Sequence, residues 1–355
     1  MAKQKVLNPS LEYTYKHAHK LKLESSSKVV IFSDFHMGNG KRHDDFLHNG
    51  SMVEDILKKY YLENDWHLIL NGDIEELQKF TINQIRNKWE SLYRLFSDFY
   101  QKKQLFKISG NHDDKLLLEL SNYRKFPLYN ALRVTYYNQE FFVYHGHQSS
   151  RFYNQFDKVI EFALHYIARP LGIKNYSDRD NNRKKHKLEK NSYQFSRVKK
   201  TVSIIGHTHR PLFESQSIKE TLKYKMEYLL RTYREAQEKE HDILQKEIVK
   251  LKKELDDHLT EEEMFGESNQ SIYSEEVVIP CLFNSGCTIG KRGITCIELD
   301  HGKISLSYWF DNKIPQKRTK ITNESEPLKG TDYRKHIIKI DDISYLSDCI
   351  ELLSD

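Results

Sequence analysis

Residues 203–211 read SIIGHTHRP: an apolar run stops at a glycine, two histidines follow with one threonine between them, and a proline turns the chain. A buried strand that ends on imidazoles delivers metal-ligating groups to one end of a sheet. Four other stretches share this design: KVVIFSDFH (28–36), HLILNGDIE (67–75), LFKISGNHD (105–113) and FFVYHGH (141–147). Each reads as a short strand of Val, Ile, Leu and Phe that runs into Asp, Asn or His beside a small residue. Between them lie helical patterns. In TINQIRNKWESLYRLFSDFY, Ile82, Ile85, Trp89, Tyr93 and Phe96 recur at three- and four-residue spacing and form one apolar stripe. FLHNGSMVEDILKKYYLEN, DKLLLELSNYRK and FDKVIEFALHYIA repeat the pattern less regularly. Strand–helix–strand alternation predicts an α/β fold with a largely parallel sheet, whose ligands gather beyond the carboxyl ends of the strands.

After Pro211 the character changes. Residues 215–275 contain no proline and a single glycine, Gly266. Met226, Leu229, Tyr233, Leu244, Ile248, Leu251 and Leu255 recur near heptad spacing among dense charge, which predicts a coiled-coil-like helical insertion over 213–276. One straight helix over 218–260 would be roughly 60 Å long. The residues that follow span at most about 55 Å when extended, so a hairpin bending near Glu240–His241–Asp242 is expected. Strand patterns return in VVIPCLFNSGCTIG, RGITCIELD and KISLSYWF and complete the core over 277–311, leaving 312–355 as a polar C-terminal extension.

Composition sets the limits. Of the 355 residues, 38% are apolar and 30% charged, enough for a real core under a very polar surface, and the net charge of +5 is too small to announce a nucleic-acid binder. The start, MAKQKVLNPSLEY, lacks the apolar core of a secretory signal, and no run reaches the ~20 apolar residues of a membrane span. Cys281, Cys287, Cys296 and Cys349 form no CxxC pair, so reduced thiols and a cytoplasmic location are expected.

Taken in order, the strand ends spell Asp-x-His, Gly-Asp, Gly-Asn-His-Asp, His-Gly and Gly-His-x-His. This five-part pattern resembles the calcineurin-like metallophosphoesterase superfamily over about 28–212 and the strands of 277–310. The resemblance implies an αββα sandwich of two mixed sheets and a centre of two divalent ions. In that pattern Asp73 bridges the ions, Asp34, His36 and His209 complete one site, and Asn111, His145 and His207 complete the other. Mixed imidazole and carboxylate donors suit Mn²⁺, with Fe²⁺ or Zn²⁺ as alternatives, better than an all-oxygen Ca²⁺ or Mg²⁺ cage. The resemblance further implies that His112 protonates the leaving oxygen or steadies the transferring phosphoryl group. Glu76, three residues after the bridging carboxylate, and Asp113 are the candidates to orient it. His147 stands where many relatives carry Asp; it either faces substrate or packs. His43, Asp44, Asp45 and His48 read as a capping and solvated segment.

The implied reaction is hydrolysis of a phosphoester or pyrophosphate by water activated between the ions. Residues 148–200 join two ligand-bearing strands and form a helical lid. Its basic residues, Arg183, Lys184, Lys187 and Arg197 foremost, are candidates to bind a phosphorylated small-molecule or nucleotide-type substrate. A lid at this place followed by GHTHRP is similar to the UDP-2,3-diacylglucosamine pyrophosphatases, which are shorter and lack the insertion. Two other readings stay open. One is a nuclease or cyclic-nucleotide phosphodiesterase, with nucleic acid as partner. The other is a scaffold without chemistry, whose insertion binds partners or forms a homodimer.

Overall fold

The computed structural model describes residues 8–118, 126–150, 182–215, 279–315 and 324–354, together with parts of 222–253. Two mixed sheets stack face to face. The larger is built around KVVIF, β2 (Lys28–Phe32), which alternates perfectly between two cores. Val29 and Ile31 point to the space between the sheets, Val30 and Phe32 to a layer of helices. A strand with no polar position in its centre is what burial on both faces requires.

β2 pairs in parallel with β3 (Trp66–Asn71), β3 with β4 (Leu105–Ile108), and β4 with β5 (Leu128–Tyr129). On its other side β2 meets β10 (Ile294–Asp300), antiparallel, followed by β11 (Lys303–Asp311), β13 (Tyr333–Asp342) and β12 (Glu326–Pro327). The smaller sheet runs β1 (His19–Lys22), β6 (Ala131–Tyr136), β7 (Gln139–Tyr144), β8 (Val202–Ile205), β9 (Leu282–Asn284).

The helix layer over the large sheet comprises α2 (Gly50–Ile56) with a π-helical continuation to Leu62, α3 (Ile82–Lys88) and α4 (Glu90–Gln101). The single stripe expected over 82–100 is broken in two at Trp89, whose backbone leaves the helical region at φ −107°, ψ 33°. Its indole is the reason: Nε1 donates to Gly38 O at 3.0 Å and the ring packs on Phe46, so a local tertiary bond outweighs one helical turn. α1 (Pro9–His17), α6 (Asn182–Lys199) and α7 (Ile343–Leu353) pack Leu11, Tyr193, Phe195, Leu346 and Ile350 into the core of the small sheet. The four layers make the expected αββα sandwich; α5 (Lys115–Leu118) lies beyond β4.

Residues 312–355 are more than a polar tail, because β13 joins the large sheet and carries Lys335 into its interior. Lys335 Nζ lies 2.6 Å from the buried Glu298 Oε2, which also accepts from Ser307 Oγ at 2.9 Å, while Tyr61 OH donates to Glu298 Oε1 at 2.6 Å. The ammonium sits over Tyr60, 4.5 Å from the ring centre. Of the insertion, residues 241–253 are helical. The bend expected near 240 and the helix FDKVIEFALHYIA lie outside the described residues, at least in part.

Candidate metal centre

Every motif sits where its strand ends. Asp34 and His36 follow β2, Asp73 follows β3, Asn111 and His112 follow β4, His145 follows β7, and His207 and His209 follow β8. Five of these residues hold the left-handed backbone: Asp34 (φ 57°), His36 (50°), Asp73 (53°), His207 (64°) and His209 (57°). Non-glycine residues rarely adopt that region, and its cost is of order 1–3 kcal/mol each, so the surrounding structure must impose it. The effect is to turn each strand end sharply enough to aim its side chain inward. Close quarters explain the neighbouring glycines: a Cβ on Gly110 would stand 2.1 Å from Asp73 Oδ1 and 2.3 Å from Asp73 N.

Three groups of donors result: one is His36, Glu76 and His112, and the other two hold the expected ligands. Asp34, His36 and His209 form one and Asp73, His145 and His207 the other, with the ligand atoms of each within 4.8 Å of one another. His36 Nε2 and His209 Nε2 face each other at 3.2 Å, and His209 Nε2 lies 3.1 Å from Asp34 Oδ1. His145 Nε2 lies 3.0 Å from Asp73 Oδ2 without the direction of a hydrogen bond. Asp34 Oδ1, Asn111 Oδ1 and His145 Nε2 are buried with no hydrogen-bond partner. Buried polar atoms are rarely left so, and three of them among clustered carboxylates and imidazoles fit divalent cations.

Electrostatics agree. Burial works against ionising Asp34, yet the His209 and His145 imidazoles hold its carboxyl at about 2. Asp73 is held well below the usual range against the same burial, chiefly by His145 and His112. His145, though buried, is pushed up to about 10 by Asp73 and Asp34, which marks a pocket that demands positive charge. His207 is pushed down to about 3 by burial and by His145, and a neutral imidazole is the ligating form.

The Nδ1 atoms of His145, His36 and His112 are committed. His145 Nδ1 bonds Asn71 O at 2.9 Å, which fixes Nε2 toward the centre. Glu76 holds two rings at once: Oε2 is 3.2 Å from His36 Nδ1 and Oε1 is 2.9 Å from His112 Nδ1. His112 N also donates to Asp73 Oδ1 at 2.8 Å. The Asp113 carboxylate accepts from Gly110 N at 2.6 Å and Ile74 N at 2.7 Å, tying the β3 and β4 loops together. His147 is buried beside His145 and His207, with ring centres 5.4 and 6.2 Å away. Asp44 caps a turn through Gly40 N and Phe46 N, as a capping segment should.

The chain belongs to the calcineurin-like phosphoesterase superfamily. The family model for that superfamily's domain matches residues 28–224, over half the sequence and every motif described above. The search of curated proteins returned no match. Membership and ligand groups together make the protein a metal-dependent phosphoesterase. Among the described residues no helix is long and apolar enough to cross a membrane.

Of the basic segment 148–200, residues 148–150 and 182–200 are described. Arg183 and Lys184 lie in the first turn of α6, and their side chains are outside the described residues. Lys187 is exposed. Arg197 is 9% exposed, on the buried side of α6.

Sequence reading missed the loop after β9. Asn284 Nδ2 donates to Gly206 O and to Thr208 Oγ1, Ser285 Oγ meets Ser33 Oγ at 2.7 Å, and Thr288 Oγ1 donates to Asp34 O. The signal was present, since FNSG also ends an apolar strand on Asn and a small residue.

Proposed function

We propose that this chain is a phosphohydrolase with a two-ion centre, acting on a phosphate ester or a pyrophosphate. The observation that carries the reading is the position of Asp73 Oδ2. It stands 3.9 Å from His36 Nε2, which belongs to one donor group, and 3.0 Å from His145 Nε2, which belongs to the other. A carboxylate between two imidazole sets is the group that can serve two ions, as a neutral histidine cannot.

In this reading Asp34, His36, Asp73 and His209 hold one ion, and Asp73, Asn111, His145 and His207 the second, with Mn²⁺ as the preferred metal. Such ions, when bound, neutralise phosphoryl charge and make water acidic enough to attack at neutral pH. The residues of the chain do the positioning. Glu76 fixes His112 so that Nε2 is turned toward Asp73, 3.9 Å from Oδ2, where it is placed to give a proton to the leaving oxygen. Lys187, with Arg183 and Lys184, attracts the anionic substrate. The catalytic core comprises 1–212 and 277–311, with 148–200 as its lid and 213–276 as an insertion.

The test is metal analysis joined to a substrate panel: p-nitrophenyl mono- and diesters, cyclic nucleotides and nucleotide-sugar pyrophosphates. Chelation should abolish hydrolysis and Mn²⁺ should restore it, with two ions bound per chain. A single bound ion, or hydrolysis indifferent to chelation, would overturn the proposal.

A further inference from the structure

The threonine between the two ligand histidines faces away from them, into the body of the protein. Thr208 is 1% exposed, and its hydroxyl donates to Glu189 Oε1 at 2.8 Å while accepting from Asn284 Nδ2 at 2.9 Å. Glu189 comes from α6 and is fully buried. A buried carboxylate is costly to keep, since even a well-paired one repays little of its desolvation. The cation closest to it in the same loop is Arg210, whose Nη1 lies 4.0 Å from Glu189 Oε2 and 3.4 Å from His186 Nε2.

The loop around Thr208 is held from every side. Gly206 N donates to His145 O at 2.8 Å, His207 N to Asp34 Oδ2 at 3.0 Å, and Asn284 Nδ2 to Gly206 O at 3.0 Å. Two of its residues, His207 and His209, keep the strained left-handed backbone. Thr208 is the residue between them, so anchoring its side chain restrains the backbone from which both imidazoles project. The partners that fix the Thr208 hydroxyl, an acceptor on α6 and a donor at the end of β9, do not come from the strand that carries the histidines.

We infer that Glu189 is a positioning residue for the metal centre: through Thr208 it sets the separation and direction of His207 and His209, and so links α6 to the ions. The inference rests on the two-ion reading above. It adds a function for α6, whose Lys187 is exposed while its inner face steadies the ligands.

The experiment is titration of the apo-protein with Co²⁺, read by its visible absorption, and with Mn²⁺, read by calorimetry, on the full chain and its variants. Thr208→Val and Glu189→Ala should weaken metal binding by about 10–100-fold and alter the Co²⁺ spectrum. Thr208→Ser and Glu189→Gln, which keep a hydroxyl donor and a carbonyl acceptor, should restore both within a few-fold. Lys190→Ala on the same helix should change neither. Should Thr208→Val or Glu189→Ala fold poorly, the comparison of Thr208→Ser and Glu189→Gln with the parent decides: an altered spectrum in a folded Thr208→Ser protein overturns the inference. Unchanged affinity and spectrum in Thr208→Val overturn it too, and leave the two-ion reading standing. A parent chain that takes up no Co²⁺ or Mn²⁺ defeats that reading instead.

Discussion

His112 and Asp73 are neighbours in the pocket with different duties, and substitution separates them. Asp73→Asn removes the charge between the two donor groups, so bound metal and turnover should both be lost. His112→Ala takes away the ring that the proposed reaction uses as proton donor, and should lower the rate by about 10²–10⁴-fold with metal content unchanged. Metal analysis of a His112→Ala protein stripped of ions would show the assignment to be wrong. Glu76 stands between the two cases because it holds His36 and His112 together. Glu76→Gln should weaken metal affinity by about 10-fold and also slow turnover at saturating metal, a combination that neither histidine alone produces. Most of this was legible from residue types and their order at strand ends. The five left-handed backbones were not, because nothing in Asp or His announces that conformation; it is forced by the packing around it.

Among the elements, the strands were the easiest to read and the connections the hardest. VVIF and LIL are apolar throughout because both faces are covered, and no helix competes for so short a run. Trp89 could not be foreseen as a break, since its stripe position is right and only the bond to Gly38 shows why the helix stops. β13 was read as a tail because YRKHIIKIDD alternates charge with apolar residues, and a lysine bound for a buried pair looks like any surface lysine. That pair makes a prediction at this scale. Lys335→Met leaves Glu298 buried without its cation and should cost about 3–5 kcal/mol, visible as a melting temperature several degrees lower. The double change Glu298→Gln with Lys335→Met should recover most of the loss. Metal affinity of the folded fraction should stay as in the parent, because the pair lies on the helix side of the large sheet, away from the strand ends.

For the whole molecule, the metal is part of the stability. The carboxylates and imidazoles of the centre come from β2, β3, β4, β7 and β8, which belong to both sheets, so ions bound there clamp the sandwich across its core. Each ion at 100 times its dissociation constant should stabilise the fold by about 2.7 kcal/mol relative to the chelated form, read as a rise in melting temperature. A melting temperature unmoved by chelation would mean that the ligands gather without binding. The substrate remained less legible than the fold, because the lid's basic residues look alike in sequence whether they face solvent, substrate or, like Arg197, the interior.

The pairing of β2 with β10 has a consequence for the cell. Ile31 leaves the ribosome early, but its partner Ile297 follows only after the lid and the insertion have been translated. At about 5–20 residues per second the nascent chain waits on the order of tens of seconds with one edge of its central strand open to other polypeptides. The central sheet of this protein is therefore completed only when the last fifth of the chain is being made.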